Sequence, residues 1–170
     1  NNNLKDKEWN GFNILQNYSG RVGALDLEFY NKKTLKRNNI KDIYNGKYNL
    51  LYLFGADEID FDKIPMDTFV VYHGHHGDKA VNRADLIIPM PCFTEKEGTY
   101  VNLEGRAQIS SQVKLPIENV DYSYEFFNKL SKAIGLRKDY NSLEDLRNLM
   151  YKSYPNLSKI NELKSEKTFD

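Results

Sequence analysis

The spacing of apolar positions changes along this chain, and each change predicts a different kind of element. Near the start, Gly11, Ile14, Leu15, Tyr18 and Val22 recur at helical spacing, with Asp6 placed to cap and Gly20 and Gly23 to stop. One amphipathic helix is predicted there. Asn31 to Tyr48 then gathers six Lys or Arg against the single acid Asp42 and reads as a solvated connection. The middle is different, because Leu50 to Phe54, Phe69 to Tyr72 and Leu86 to Ile88 are continuous apolar runs rich in aromatic or β-branched residues. Such runs suit strands covered on both faces.

Between the first two runs, Asp57 to Ile64 reads as a short helix with Asp57 as cap, Ile59 and Ile64 facing inward and Pro65 ending it. Right-handed crossovers make such strands parallel, with the turns after Phe54, Tyr72 and Ile88 at the carboxyl edge where α/β sheets hold ligands. Beyond Gly98 the pattern shortens to extended pieces, Tyr100 to Leu103 and Arg106 to Val113, broken by Gly105. Two helices follow. The first is predicted from Asp121 to Ile134, with Phe126, Leu130, Ala133 and Ile134 on one stripe and Gly135 at its end. The second starts at Ser142 with Asp145 completing a capping box, and buries Leu143, Leu146, Leu149 and Met150. After Pro155 the apolar spacing is lost. We read residues 1–157 as one domain and 158–170 as a polar tail, mobile alone or laid along a partner.

Composition narrows the function classes. The 170 residues carry 24 Lys+Arg against 24 Asp+Glu, so no net charge recruits nucleic acid or a membrane surface. At 40% hydrophobic and 28% charged, the composition is that of a soluble globular domain, and no apolar run is long enough to cross a bilayer. One cysteine, Cys92, supplies neither an internal disulfide nor the four thiolates an iron-sulfur cluster takes. The chain begins with Asn1, as a processed chain or part of a longer product would. Its 19 Asn and 18 Lys beside 12 Tyr and 6 Arg suit A- and T-rich coding DNA.

Several clusters could carry chemistry. His73-Gly74-His75-His76-Gly77-Asp78 puts every histidine and a carboxylate on one loop after a strand, a donor set that zinc accepts and a metal-dependent hydrolase could use. The plainer reading is a glycine-bearing turn with its imidazoles bonded to backbone. Phe54-Gly55-Ala56-Asp57 resembles half of a nucleotide-binding turn, though Asp57 would repel phosphate. Cys92 would need a histidine from the 73–76 loop to act as a nucleophile and otherwise reads as a buried, inert thiol. Glu95, Glu97 and Glu104 are near enough in sequence for paired carboxylates, but Lys96 and Arg106 are equally near and make ion-paired surface the default.

One long stretch says more. Val71 to Asp78, then Ala84-Asp85-Leu86-Ile87-Ile88-Pro89, then Thr94 to Gln108, in this order, closely resembles the carboxyl-terminal part of the large iron-sulfur subunit of respiratory complex I. The likeness extends back through Leu53 to Asp57 and the Trp9 to Leu15 helix, ending in Ala24-Leu25-Asp26-Leu27, and forward through Leu143 to Leu157. It implies an α/β fold, molybdopterin-oxidoreductase-like, with a parallel Rossmann-like sheet, flanking helices, short extended segments and two C-terminal helices. In complex I that module keeps the fold without the pterin and serves as scaffold. Pterin-binding members share a pattern matched here by Ala84, Asp85, Pro89, Glu95, Gly98, Thr99, Asn102, Glu104, Gly105 and Arg106, read as the remains of a pocket rim.

On that resemblance this chain holds no catalytic, cofactor-binding or metal residue of its own, and iron-sulfur clusters and FMN are expected in partner subunits. The expected partners are the cluster-binding N-terminal half of the same subunit and other peripheral-arm subunits, on the matrix side of the mitochondrial inner membrane. A subunit split between two genes would suit the Asn, Lys and Tyr bias. The alternatives are a fragment of a molybdopterin-dependent oxidoreductase, or the hydrolase built on His73 to Asp78.

Overall fold

The computed structural model describes residues 14–29, 39–77, 79–136 and 140–162. In chain order these form α1 (Arg21–Asp26), α2 (Asn39–Tyr44), β1 (Leu50–Phe54), β2 (Phe69–Gly74), α3 (Lys79–Arg83), β3 (Leu86–Pro89), β4 (Gly98–Val101), β5 (Ala107–Ser110), α4 (Ser123–Ala133) and α5 (Leu143–Ser153). Short 3-10 turns occupy Phe61–Lys63, Phe93–Glu95 and Pro155–Ser158. They fall into two compact units. A parallel unit lies within Asn31–Lys96 and Gln112–Arg137, and a hairpin unit within Asn1–Tyr30, Glu97–Ser111 and Lys138–Asp170.

The parallel unit is built on β1, β2 and β3, parallel and in that order, with Leu53 opposite Tyr72 and Tyr72 opposite Ile87. Its core is Leu53, Phe61, Ile64, Val70, Tyr72 and Ala80, with Ile43, Tyr44 and Ile59 packed against it. The β-short helix-β reading therefore holds, with shifts that have local causes. Asp57 caps nothing: the helical turn is only Phe61–Lys63, and Asp60 precedes it with no side-chain cap. Asn31 to Tyr48 is more than a connection, because α2 lies in it and turns Ile43 and Tyr44 onto the core; residues 31–38 lie outside the described residues.

Coverage on both faces is true of β2 alone. Past Phe69 it is buried throughout, whereas Leu50, Phe54, Leu86 and Ile87 on the outer strands are exposed. An outer strand has one bonded edge, and among the described residues no further strand extends this sheet. In α4 the inward face is set by Phe126, Phe127 and Asn128, the last 8% exposed. Ala133 and Ile134 are exposed, because the helix ends there: Leu136 N–H returns to the Ser131 carbonyl around Gly135, whose φ of 73° is left-handed.

The hairpin unit pairs β4 and β5 antiparallel, Gly98 opposite Ser110 and Val101 opposite Ala107. Its core is Val101, Ala107 and Leu157, with Val22, Met150, Tyr151, Tyr154 and Ile160 packed on it. The amino-terminal helix differs from expectation. Residues 14–20 are not helical, α1 begins at Arg21, and Gly23 lies inside it, where it faces Val101. Asp6 and Trp9 to Asn13 lie outside the described residues. The capping box of α5 forms as predicted, Asp145 N–H donating to Ser142 Oγ at 3.0 Å and Asp145 Oδ2 accepting from Ser142 N–H at 3.1 Å. Leu143, Leu146, Leu149 and Met150 are half-buried rather than buried. Nor does packing stop at Pro155, since Leu157 is 2% exposed and Ile160 bridges to Ala107.

Candidate functional site

The carboxyl edge of the parallel sheet is the place where a fold of this kind would hold a ligand. His73, the next-to-last residue of β2, has no exposed surface at all. Its Nδ1 lies 2.8 Å from Tyr52 Oη, and the rings of Phe54, Phe126 and Phe127 surround it at centroid distances of 5.0, 4.9 and 5.9 Å. Burial, and then the Lys96 charge, lower the His73 pKa from its usual 6.5. A neutral imidazole that accepts the tyrosine proton at Nδ1 carries its own on Nε2. That atom is buried with no hydrogen-bond partner, and the Phe54 and Phe126 rings meet the imidazole edge to face. The His73 imidazole is thus held in an aromatic cage of Tyr52, Phe54, Phe126 and Phe127. Tyr52 and Phe54 share a face of β1 by strand periodicity, so this part of the cage was available to pattern reading.

His73 is not brought together with His75 and His76. His75 and His76 lie beyond the strand end, exposed, their rings 4.6 Å apart, while His73 turns inward; Asp78 lies outside the described residues. Among the described residues no three His, Cys, Asp or Glu side chains gather as a metal would need. The loop has a packing explanation instead. Tyr72 folds back over it and donates from Oη to the His76 carbonyl at 3.0 Å, and a Cβ on Gly74 would overlap the Tyr72 ring. Gly55, with φ of 60°, donates its N–H to the His73 carbonyl at 2.8 Å, and no helix starts after it to receive a phosphate.

Cys92 is half-buried, its Sγ 2.9 Å from Thr94 Oγ1, and Glu95 Oε2 accepts from its N–H at 3.1 Å. Burial lowers the pKa of Lys96, opposed by the nearby Cys92. The three glutamates do not pair with one another: Glu95 caps within the parallel unit, Glu97 meets Arg147 at 3.5 Å, and Glu104 meets Arg106 at 3.8 Å.

The pattern read as a pocket rim resolves into local structural tasks. Asp85 Oδ2 accepts from Val70 N–H at 2.8 Å and from Arg83 Nη1 at 3.2 Å, before β3 begins. It therefore sits at the amino edge. Arg83 Nη2 donates to the carbonyls of Pro65 and Thr68, at 2.7 Å each, so one guanidinium ties the entry of β2 to the entry of β3. Asn102 Oδ1 accepts from the N–H groups of Glu104 and Arg106, at 3.0 Å each, and Gly105 takes φ of 78° to close the β4–β5 turn. A groove of about 690 Å³ is lined by Glu58, Asp60, Asp62, Lys79 and Arg83, residues that precede β2 and β3 and so flank their amino ends.

Fold and site together define an α/β fold with a three-stranded parallel sheet, in which the matched Asp85, Asn102 and Gly105 hold a strand entry and a turn. Comparison with known proteins makes the assignment specific. The chain belongs to the molybdopterin oxidoreductase family, whose model matches residues 1–133. It is 40% identical, over 95% of its length, to the mitochondrial NADH dehydrogenase (ubiquinone) iron-sulfur protein 1 of Solanum tuberosum, and covers 21% of that protein. It is 37% identical, over 96% of its length, to the NADH-ubiquinone oxidoreductase 75 kDa subunit of Reclinomonas americana, covering 23% of it. Against the mitochondrial NADH-ubiquinone oxidoreductase 78 kDa subunit of Neurospora crassa the identity is 36% over 92% of the chain and 20% of the relative. The chain thus spans about a fifth of the length of the curated relatives it matches. Among the described residues no helix is long and apolar enough to cross a membrane.

Proposed function

We propose that this chain is a scaffold domain of the large iron-sulfur subunit in the peripheral arm of NADH:ubiquinone oxidoreductase, on the matrix side of the mitochondrial inner membrane. It supports electron transfer from NADH to ubiquinone by shape and contact area, and carries no cluster. Clusters and FMN belong to its partners: the cluster-binding portion of the same subunit and the other peripheral-arm subunits. The observation that carries the reading is the likeness to these relatives over 92% to 96% of the chain.

The residues present do not fit a pterin. Asp85 Oδ2, Glu95 Oε2 and Asn102 Oδ1 each accept from backbone N–H groups of the chain itself. Of the ten matched residues, Arg106 alone has a buried side-chain polar atom without a partner, Nε, and its Nη2 is drawn toward Glu104. The His73 cage supports the same reading, because the imidazole near the carboxyl end of β2 is engaged by four aromatic neighbours of the chain itself. Purification of the native assembly from cells that make the chain, followed by mass spectrometry, tests the proposal. The cluster-bearing portion and its neighbours should be recovered in equal amounts with it. Recovery as a free monomer, or with stoichiometric pterin fluorescing after oxidation, would overturn it.

A further inference from the structure

Residues 113–117 follow a strand pattern that the fold leaves unused. Val113, Leu115 and Ile117 alternate with Lys114 and Pro116, the spacing of a half-buried strand. Yet they are 83%, 76% and 72% exposed, and the segment belongs to no sheet. It is anchored at its start, where Val113 and Lys114 N–H both donate to the Thr94 carbonyl, at 2.9 and 3.1 Å. Beside that anchor Phe93 is 67% exposed. Gln112 steadies the turn by donating from Nε2 to Tyr122 Oη and to the Lys114 carbonyl. The result is a pinned ridge with its apolar side chains in solvent.

We infer that this ridge is a docking surface, and that its occupant is an apolar segment of the remaining large-subunit polypeptide. The inference rests on the proposed scaffold function. Two observations select the occupant. About four-fifths of each matched relative lies outside the span shared with this chain, so the polypeptide available to cover the ridge is several times its own length. The ridge also carries little charge, one Lys114 against one Glu118, which suits a permanent apolar contact and offers nothing to steer a transient charged partner.

Lys114, itself exposed, supplies a native handle for the test. In the purified intact complex, an amine-reactive cross-linker should join Lys114 to a lysine of the large subunit outside the span shared with this chain. Hydroxyl-radical oxidation of Val113, Leu115 and Ile117 should be slowed at least about five-fold in the complex relative to the isolated chain, as expected for side chains in a dry contact. Cross-links from Lys114 only to a different subunit or to a second copy, or oxidation at equal rates in both samples, would overturn the inference. The scaffold reading fails separately, if the chain is missing from the complex altogether.

Discussion

The two units reach stability by different routes. In the parallel unit the core residues run from Leu53 to Ala80, and neighbours in sequence are neighbours in the sheet. The hairpin unit is stitched from distant pieces: Tyr154 Oη donates to the Leu27 carbonyl across 127 residues, and Asn156 Nδ2 to Asp26 Oδ2 across 130. Among the described residues its buried core is Val101, Ala107 and Leu157. A unit closed by long-range contacts around so small a core depends more heavily on each buried residue.

The largest effect should therefore come from Leu157→Ala. Removing a side chain that is 2% exposed costs about 2–5 kcal/mol. Hydrogen exchange should show Gly98 to Ser110 losing most of its protection while Leu50 to Phe54 and Phe69 to Gly74 keep theirs. Equal loss in both units would erase the distinction between them.

Next comes the aromatic cage. Tyr52→Phe leaves His73 Nδ1 buried without its hydrogen-bond partner, a loss of about 1–3 kcal/mol in the parallel unit, measurable by urea denaturation. The cage also has a pH signature. Because the folded pKa of His73 lies below its usual 6.5, the unfolded chain takes up a proton that the folded chain refuses as pH falls through that value. Stability should decline from there until the folded pKa is reached. His73→Leu should remove this part of the slope, whereas Tyr52→Phe should keep it, since the imidazole stays buried.

What pattern reading could see follows the same division. The three parallel strands were legible because each is a continuous apolar run, although only β2 is buried, and the Ser142 cap and the Gly105 and Gly135 turns were legible because their chemistry is local. The hairpin unit's use of Gly23 inside α1 and of Leu157 past Pro155 was not, because each depends on partners remote in sequence. At the candidate site, the histidine loop admitted a ligand set beside the plainer glycine-bearing turn, since spacing says nothing of direction: His73 turns in, and His75 and His76 stay out. The clamp of Arg83 on Pro65 and Thr68 left no trace, as a guanidinium bonded to carbonyls needs no complementary residue in the sequence.

A smaller change tests whether local capping matters equally in the hairpin unit. Ser142→Ala removes the acceptor for Asp145 N–H and should cost about 1 kcal/mol. Asn141 and Ser142 N–H would still donate to Asp145 Oδ2, so half of the box survives. Ser142→Asp, which keeps an acceptor at the same place, should restore the loss, as read by thermal melting.

The smallest effect at neutral pH belongs to Asp85→Asn, and its value lies in the acid range. An asparagine oxygen can still accept from Val70 N–H, so the joint between the β2 and β3 entries should hold at pH 7 with Arg83 keeping its bonds to Pro65 and Thr68. What disappears is a titration. The Val70 N–H first, and then Arg83, hold the Asp85 pKa below its ordinary 3.8. The stabilisation is therefore complete above that value and is lost as pH falls through the folded pKa. Acid unfolding followed by circular dichroism should be less steep for the variant below about pH 4, in the parallel unit's signal alone. An unchanged acid profile would mean that Arg83 and the backbone hold the amino edge without the carboxylate's charge.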